Sequence, residues 1–276
     1  AAMAGPVKFK CVATAKRRRA PGFTLTEAIM VIAITGILAA MVAVFLQKPV
    51  QGFFDTARRA ALVDAADTAL RRISRDLRDA LPNSVRVDGS TALEFLHVSA
   101  AGRYRELGPG DPLDFTAADT SFDVLGPAVS VQPGDSVVVY NLGASGADAY
   151  SGNSALTDVR RAMSGAGGSL STVTMTSANK LPFASPAKRF QIVDTPVSYV
   201  CNGTQMLRYS AYAIAATQPV PPAVAGALIA DKLSACSFIY AAGPSQREAL
   251  VTVSLALTDG GETVSLLYQV HLNNAP

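Results

Sequence analysis

From residue 23 to residue 46 the chain reads FTLTEAIMVIAITGILAAMVAVFL, an apolar run broken by a single acid, Glu27, at its fifth position. As a helix these residues reach roughly 36 Å, more than the ~30 Å hydrocarbon core of a bilayer, so the run predicts one membrane span. The helical period continues past it. Leu62, Ala66, Ala69, Leu70, Ile73, Leu77 and Leu81 form a one-sided apolar stripe, while Asp67 with Arg71, Arg72 with Asp76 and Arg75 with Asp79 stand four apart on the polar side. Pro82-Asn83 is the expected stop. Lys48-Pro49 and Gly52 predict a kink or a short melted turn near the membrane exit, because proline removes a ladder donor.

After Pro82 the period changes to two. Residues 84–88 and 93–98 read as strands about the Asp88-Gly89 turn. Residues 137–140, 172–176, 190–193, 197–200 and 205–210 read as further short strands, the last two joined through Asn202-Gly203. Val251, Val253, Leu255 and Leu257 alternate with polar or small residues. Val264, Leu266, Tyr268, Val270 and Leu272 do the same after Asp259-Gly260-Gly261, giving the clearest hairpin. Segments 109–121 and 141–170 are rich in Gly, Ser, Ala and Asp and read as long loops, with a short helix at 154–163. Segment 215–230 is an Ala/Pro connector, and no fixed-period repeat is present. The expected fold class is α+β, a long N-terminal helix packed on an antiparallel β-rich C-terminal domain. The expected divisions are a basic leader (1–22), a spanning helix (23–48), an amphipathic helix (49–82) and a β-rich domain (83–276).

Charge adds an orientation. Six of the 24 basic residues lie in the first 22 positions with no acid among them, leaving 18 basic against 21 acidic residues in the remainder, about −3. The basicity therefore belongs to the leader, and nucleic acid is not an expected partner. Lys16-Arg17-Arg18-Arg19 keeps the leader in the cytoplasm, so the part after the span is exported into an oxidising compartment. There Cys201 and Cys236 either close a disulfide or stay as two separate buried cysteines. Export favours the disulfide, with a structural role in both cases.

Catalytic chemistry has little to work with. The two histidines, His97 and His271, fall in expected strands, and no GxSxG, HExxH, phosphate-loop or dinucleotide pattern is present. Asp111 and Asp114, or Asp259 and Glu262, lack the spacing of an oxygen cage and read as solvated turns. Asn202-Gly203-Thr204 matches a glycosylation sequon that the turn explains equally well. No enzyme activity, metal or cofactor is expected.

Glu27 needs a reason, since a carboxylate at the centre of a span costs about 2.5–3.5 kcal/mol on insertion scales. The processing-like junction Gly22-Phe23 stands ahead of the apolar run, not after it as in a cleaved secretory signal. Cutting there leaves the span attached and creates a cationic terminus at Phe23, which Glu27 of a staggered neighbouring helix could neutralise. The plain alternative is an acid snorkelling to the interface one turn away.

Gly22-Phe23-Thr24-Leu25-Thr26-Glu27 followed by an apolar run closely resembles the class III signal of type IV pilins and type II secretion pseudopilins. The resemblance implies cleavage after Gly22 by prepilin peptidase, N-methylation of Phe23 and a role for Glu27 in recruitment into a filament. It departs in Thr26, where an aliphatic residue is usual, in the long leader and in the late Pro49. Further blocks, among them Ala80-Leu81-Pro82-Asn83-Ser84-Val85, Thr195-Pro196-Val197-Ser198-Tyr199-Val200-Cys201, Leu207-Arg208-Tyr209 and Ser234-Ala235-Cys236-Ser237-Phe238, resemble minor pilin-like proteins of mannose-sensitive haemagglutinin (MSHA) pilus systems and J-type pseudopilins. The implied partners are prepilin peptidase, other minor and major pilins and an inner-membrane assembly platform. The implied location is the inner membrane with a periplasmic domain, or a pilus at the cell surface. A secretion pseudopilin and a pilus-displayed adhesin are the alternatives; in the latter the Gly-rich loops would bind the ligand.

Overall fold

The computed structural model describes residues 22–153, 155–176, 179–243 and 248–275. The protein divides into two compact units, residues 1–54 and residues 55–276. In the described part of the first, the backbone is helical from Leu25 onward, and its large apolar side chains from Phe23 to Phe54 are exposed. It is the one helix among the described residues long and apolar enough to cross a membrane. Between Glu27 and Lys48 there is no charged side chain.

Helix α1 runs continuously over Leu25–Arg78, through Pro49. The melted turn expected there is absent. One missing N–H removes a single bond from the ladder, and the turns on either side keep theirs. Nor does α1 reach Pro82. Asp79 and Ala80 donate to the carbonyls of Asp76 and Leu77 at 3.2 and 3.3 Å, a tightened last turn, and the amide of Leu81 donates to Leu96. Sheet pairing, not proline, ends the helix.

Residues 55–276 are β-rich. The strands are β1 (Arg86–Asp88), β2 (Ala92–Tyr104), β3 (Ser121–Leu125), β4 (Val129–Val131) and β5 (Ser136–Val138). Three short ones follow, β6 (Arg160–Ala162), β7 (Gly168–Leu170) and β8 (Thr172–Thr174). The last six are β9 (Arg189–Asn202), β10 (Gln205–Tyr209), β11 (Ala227–Ala230), β12 (Leu233–Ala242), β13 (Glu248–Asp259) and β14 (Glu262–Asn273). A nine-stranded sheet runs β11-β10-β9-β2-β3-β8, with β1 on β2 and β5, then β6, on β9. A three-stranded sheet runs β12-β13-β14, and β4 pairs with β7. Every pairing among the described strands is antiparallel. This is the α+β, type IV pilin-like arrangement of one long apolar N-terminal helix and an antiparallel C-terminal domain.

Several local expectations need correction. Residues 190–193 and 197–200 belong to one strand, β9, because β2 supplies a partner across the Thr195-Pro196 interruption. No helix forms in the described part of 154–163; Arg160–Ala162 is β6, drawn into the sheet by β5. The hairpin between β9 and β10 turns on Gly203-Thr204, with Asn202 paired to Gln205 and Gly203 at φ 59°. The β13–β14 hairpin closes through Gly260-Gly261 at φ 55° and 91°, values that glycine adopts without strain.

The main core explains the helical stripe. Leu62, Ala66, Ala69, Leu70, Ile73 and Leu77 are buried against Phe95, Tyr199 and Met206 of the large sheet and Phe238, Val253 and Leu255 of the small one. Each fully buried large apolar side chain stabilises the fold by about 1.5–3 kcal/mol, so the α1 stripe is an energetic centre of the domain. The Cys201–Cys236 disulfide links β9 to β12, with Cα atoms 6.4 Å apart. It ties the two sheets across a sequence separation of 35. In the chain-entropy account such a loop is worth roughly 3–4 kcal/mol.

Candidate assembly site

The N-terminal motif folds from its own sequence. The Thr24 carbonyl accepts the first helical bond, from the amide of Ala28 at 3.1 Å, and the Thr24 hydroxyl oxygen accepts from the amide of Glu27 at 3.3 Å. Thr24 is thus the N-cap and Glu27 the third helical residue, the positions of a capping box. The Thr24 hydroxyl also lies 3.5 Å from Glu27 Oε2. Gly22, Phe23, Thr24 and Glu27 are all exposed. Among the described residues no atom comes within 4 Å of a Cβ built on Gly22, so none of them resists a side chain there. The Thr-x-x-Glu spacing carries this capping relation in the sequence itself.

In residues 55–276 several titratable groups are bound to one another. Glu94, 1 % exposed, receives Arg86 Nε and Nη2 on Oε1 at 2.9 and 2.5 Å. Its Oε2 accepts from Ser198 and Tyr212 at 3.1 and 2.8 Å. Arg86 also donates to the carbonyls of Ala215 and Ala216 and lies 3.7 Å from the centre of the Tyr150 ring. Burial and the Glu94 carboxylate push the Tyr150 and Tyr212 hydroxyls up. No local sequence pattern marks this cluster, because its members lie up to 130 residues apart. Arg161 is wholly buried and donates to the carbonyls of Ala155, Asp158, Arg160 and Lys180, which makes it a staple for two loops.

Three of the acidic candidates are similarly engaged. Asp111 accepts from Ser121, Asp114 from Thr116 and Asp259 from Lys232. No group of three or more metal-ligating side chains occurs among the described residues. The Asn202-Gly203-Thr204 segment is exposed at its hairpin tip, and His271 is exposed on β14.

His97 Nδ1 lies 2.8 Å from Asp194 Oδ1. This bond, and the charges of Asp194, Asp79 and Asp76, raise the His97 pKa above 6.5 against the effect of burial. Burial opposes ionisation of Asp194, but the bond and charge of His97 hold its carboxyl below 3.8. The histidine's contribution is full below its unfolded pKa and fades as pH rises through the raised value. The aspartate's is full above its unfolded pKa and fades as pH falls through the lowered one. His97→Gln should therefore lower stability most between about pH 4 and 6.5, by at most about 1 kcal/mol for a half-exposed pair. Thermal unfolding across pH 4–9 tests this, and a stability gap that does not close above about pH 8 would contradict it.

Comparison with known proteins bears on the N-terminal motif. No curated protein and no solved structure matches the chain. Residues 17–43 match the model of the prokaryotic N-terminal methylation motif. That motif is a type IV pilin-like signal, and here it leads into a single apolar helix and an antiparallel β-rich domain, which together support a membrane-anchored pilin- or pseudopilin-like subunit with an exported C-terminal part.

Proposed function

We propose that the chain is a minor pilin-like structural subunit that primes or supports assembly of an MSHA-type pilus and is most similar to MshO. The observation that carries the filament reading is the order of parts: a basic run, Gly22-Phe23, an acid at the fifth position and an uncharged apolar helix, of which the methylation motif covers residues 17–43. The blocks around Pro82, Cys201 and Cys236 support the finer assignment. Prepilin peptidase removes residues 1–22 on the cytoplasmic side, and Phe23 becomes the methylated terminus. The helix waits in the inner membrane until the assembly platform passes it into a bundle of pilin helices. Glu27 there neutralises the terminus of a neighbouring subunit, while the periplasmic domain contacts sibling minor pilins. Its task is packing and charge neutralisation, not catalysis.

The capping geometry supplies a discriminating test. Glutamine keeps the side chain that a capping box uses and removes the charge; alanine removes both. Glu27→Gln and Glu27→Ala should both leave leader removal and membrane insertion intact. Both should lower incorporation into sheared pili about tenfold or more, because leaving a buried charge without its partner costs about 3–5 kcal/mol. Normal incorporation of Glu27→Gln would reduce Glu27 to a helix cap worth about 0.5–2 kcal/mol and sink the neutralisation mechanism.

A further inference from the structure

Arg103 on β2 stands directly opposite Arg189 on β9. The amide of Tyr104 donates to the carbonyl of Lys188 at 3.0 Å, which makes Arg103–Arg189 a non-hydrogen-bonded pair, the kind whose Cα atoms approach to about 4.5 Å with side chains closest. Like charges at such a position repel and destabilise a sheet.

The surrounding backbone fixes the juxtaposition. On the opposite face, the Phe190 ring lies where a Cβ on Gly102 would stand, 2.8 Å from two ring carbons, so the strands pair closely there. The amide of Arg189 donates to the Ser185 hydroxyl oxygen at 3.2 Å, and the Tyr104 hydroxyl donates to the Ser185 carbonyl at 3.2 Å. The neighbouring cations are already neutralised, Arg105 by Asp123 and Lys188 by Glu106. Neither Arg103 nor Arg189 has a carboxylate partner among the described residues, and both are exposed.

We propose that Arg103 and Arg189 form a binding site for a tetrahedral dianion, a phosphate or sulfate group. Two guanidinium forks carried on directly opposed residues supply donors for an oxyanion, and two positive charges match a double negative one. A bound dianion converts the cross-strand repulsion into a bridge. The site is a single point and not a track: its flanking charges are paired, Leu125 on its other side is 44 % exposed, and the chain without its leader is net acidic. These features disfavour a polyanion backbone, which needs a stripe of free cations. Exposure of both arginines admits a phosphate or sulfate ester as well as the free ion.

The test is titration of the full chain in detergent with inorganic phosphate, glucose 6-phosphate and acetate at constant ionic strength, followed by thermal unfolding. Phosphate should raise the unfolding midpoint and acetate should not. Arg103→Gln and Arg189→Gln should each weaken phosphate binding about tenfold, whereas Arg59→Gln, at an exposed arginine of α1, should leave it unchanged. In phosphate-free buffer both glutamine variants should unfold at or above the wild-type midpoint, which also shows that they fold. Glucose 6-phosphate matching phosphate points to an ester ligand, and phosphate alone to the free ion. An equal response to acetate, or phosphate binding retained in both variants, overturns the proposal.

Discussion

Gly22→Val is expected to leave the chain with its leader uncut. Wild-type chain in a cell with prepilin peptidase should start at a methylated Phe23 when its N-terminus is read by mass spectrometry, and should migrate faster on a gel than the variant. Since no atom of the described residues lies within 4 Å of the Gly22 Cβ position, they offer valine no steric resistance. A loss of cleavage would thus report the peptidase's own requirement for a small residue before the cut, and not a disturbed substrate. The uncut chain has no amino terminus at Phe23 to be neutralised, so it should also fail to enter pili. Glu27→Gln should be cut normally and still fail, which separates processing from assembly. Normal removal of residues 1–22 from Gly22→Val would overturn the assignment of the junction.

The second large effect is expected at Arg86. Replacing it by methionine leaves Glu94 almost wholly buried with its two hydroxyl donors but no countercharge, frees the Ala215 and Ala216 carbonyls, and uncovers the Tyr150 ring. Breaking a buried pair in this way costs about 3–5 kcal/mol. That is a large share of the 5–15 kcal/mol of a typical domain. Denaturant unfolding measures it. Adding Glu94→Met to Arg86→Met should restore much of the loss, since two apolar residues need no countercharge. A double variant as unstable as the sum of the singles would show that the cluster acts through packing and not through charge.

The parts of this protein that depend on near neighbours in the chain were legible in its sequence. The apolar run, the stripe from Leu62 to Leu77 and the β13–β14 alternation each express a period that a single element imposes on its own residues. The methylation motif is equally local, and so is the Thr24 cap. Tertiary structure decided the rest. β12 lacks a clean alternation and exists because β13 offers it partners, while β9 holds through Pro196 because β2 runs beside it. Arg160–Ala162 became a strand for the same reason. The Glu94 cluster, the Arg161 staple and the Arg103–Arg189 opposition arise where strands and loops far apart in sequence meet. No sequence period encodes such meetings, because register between distant strands is set by which faces bury together and by where each turn closes.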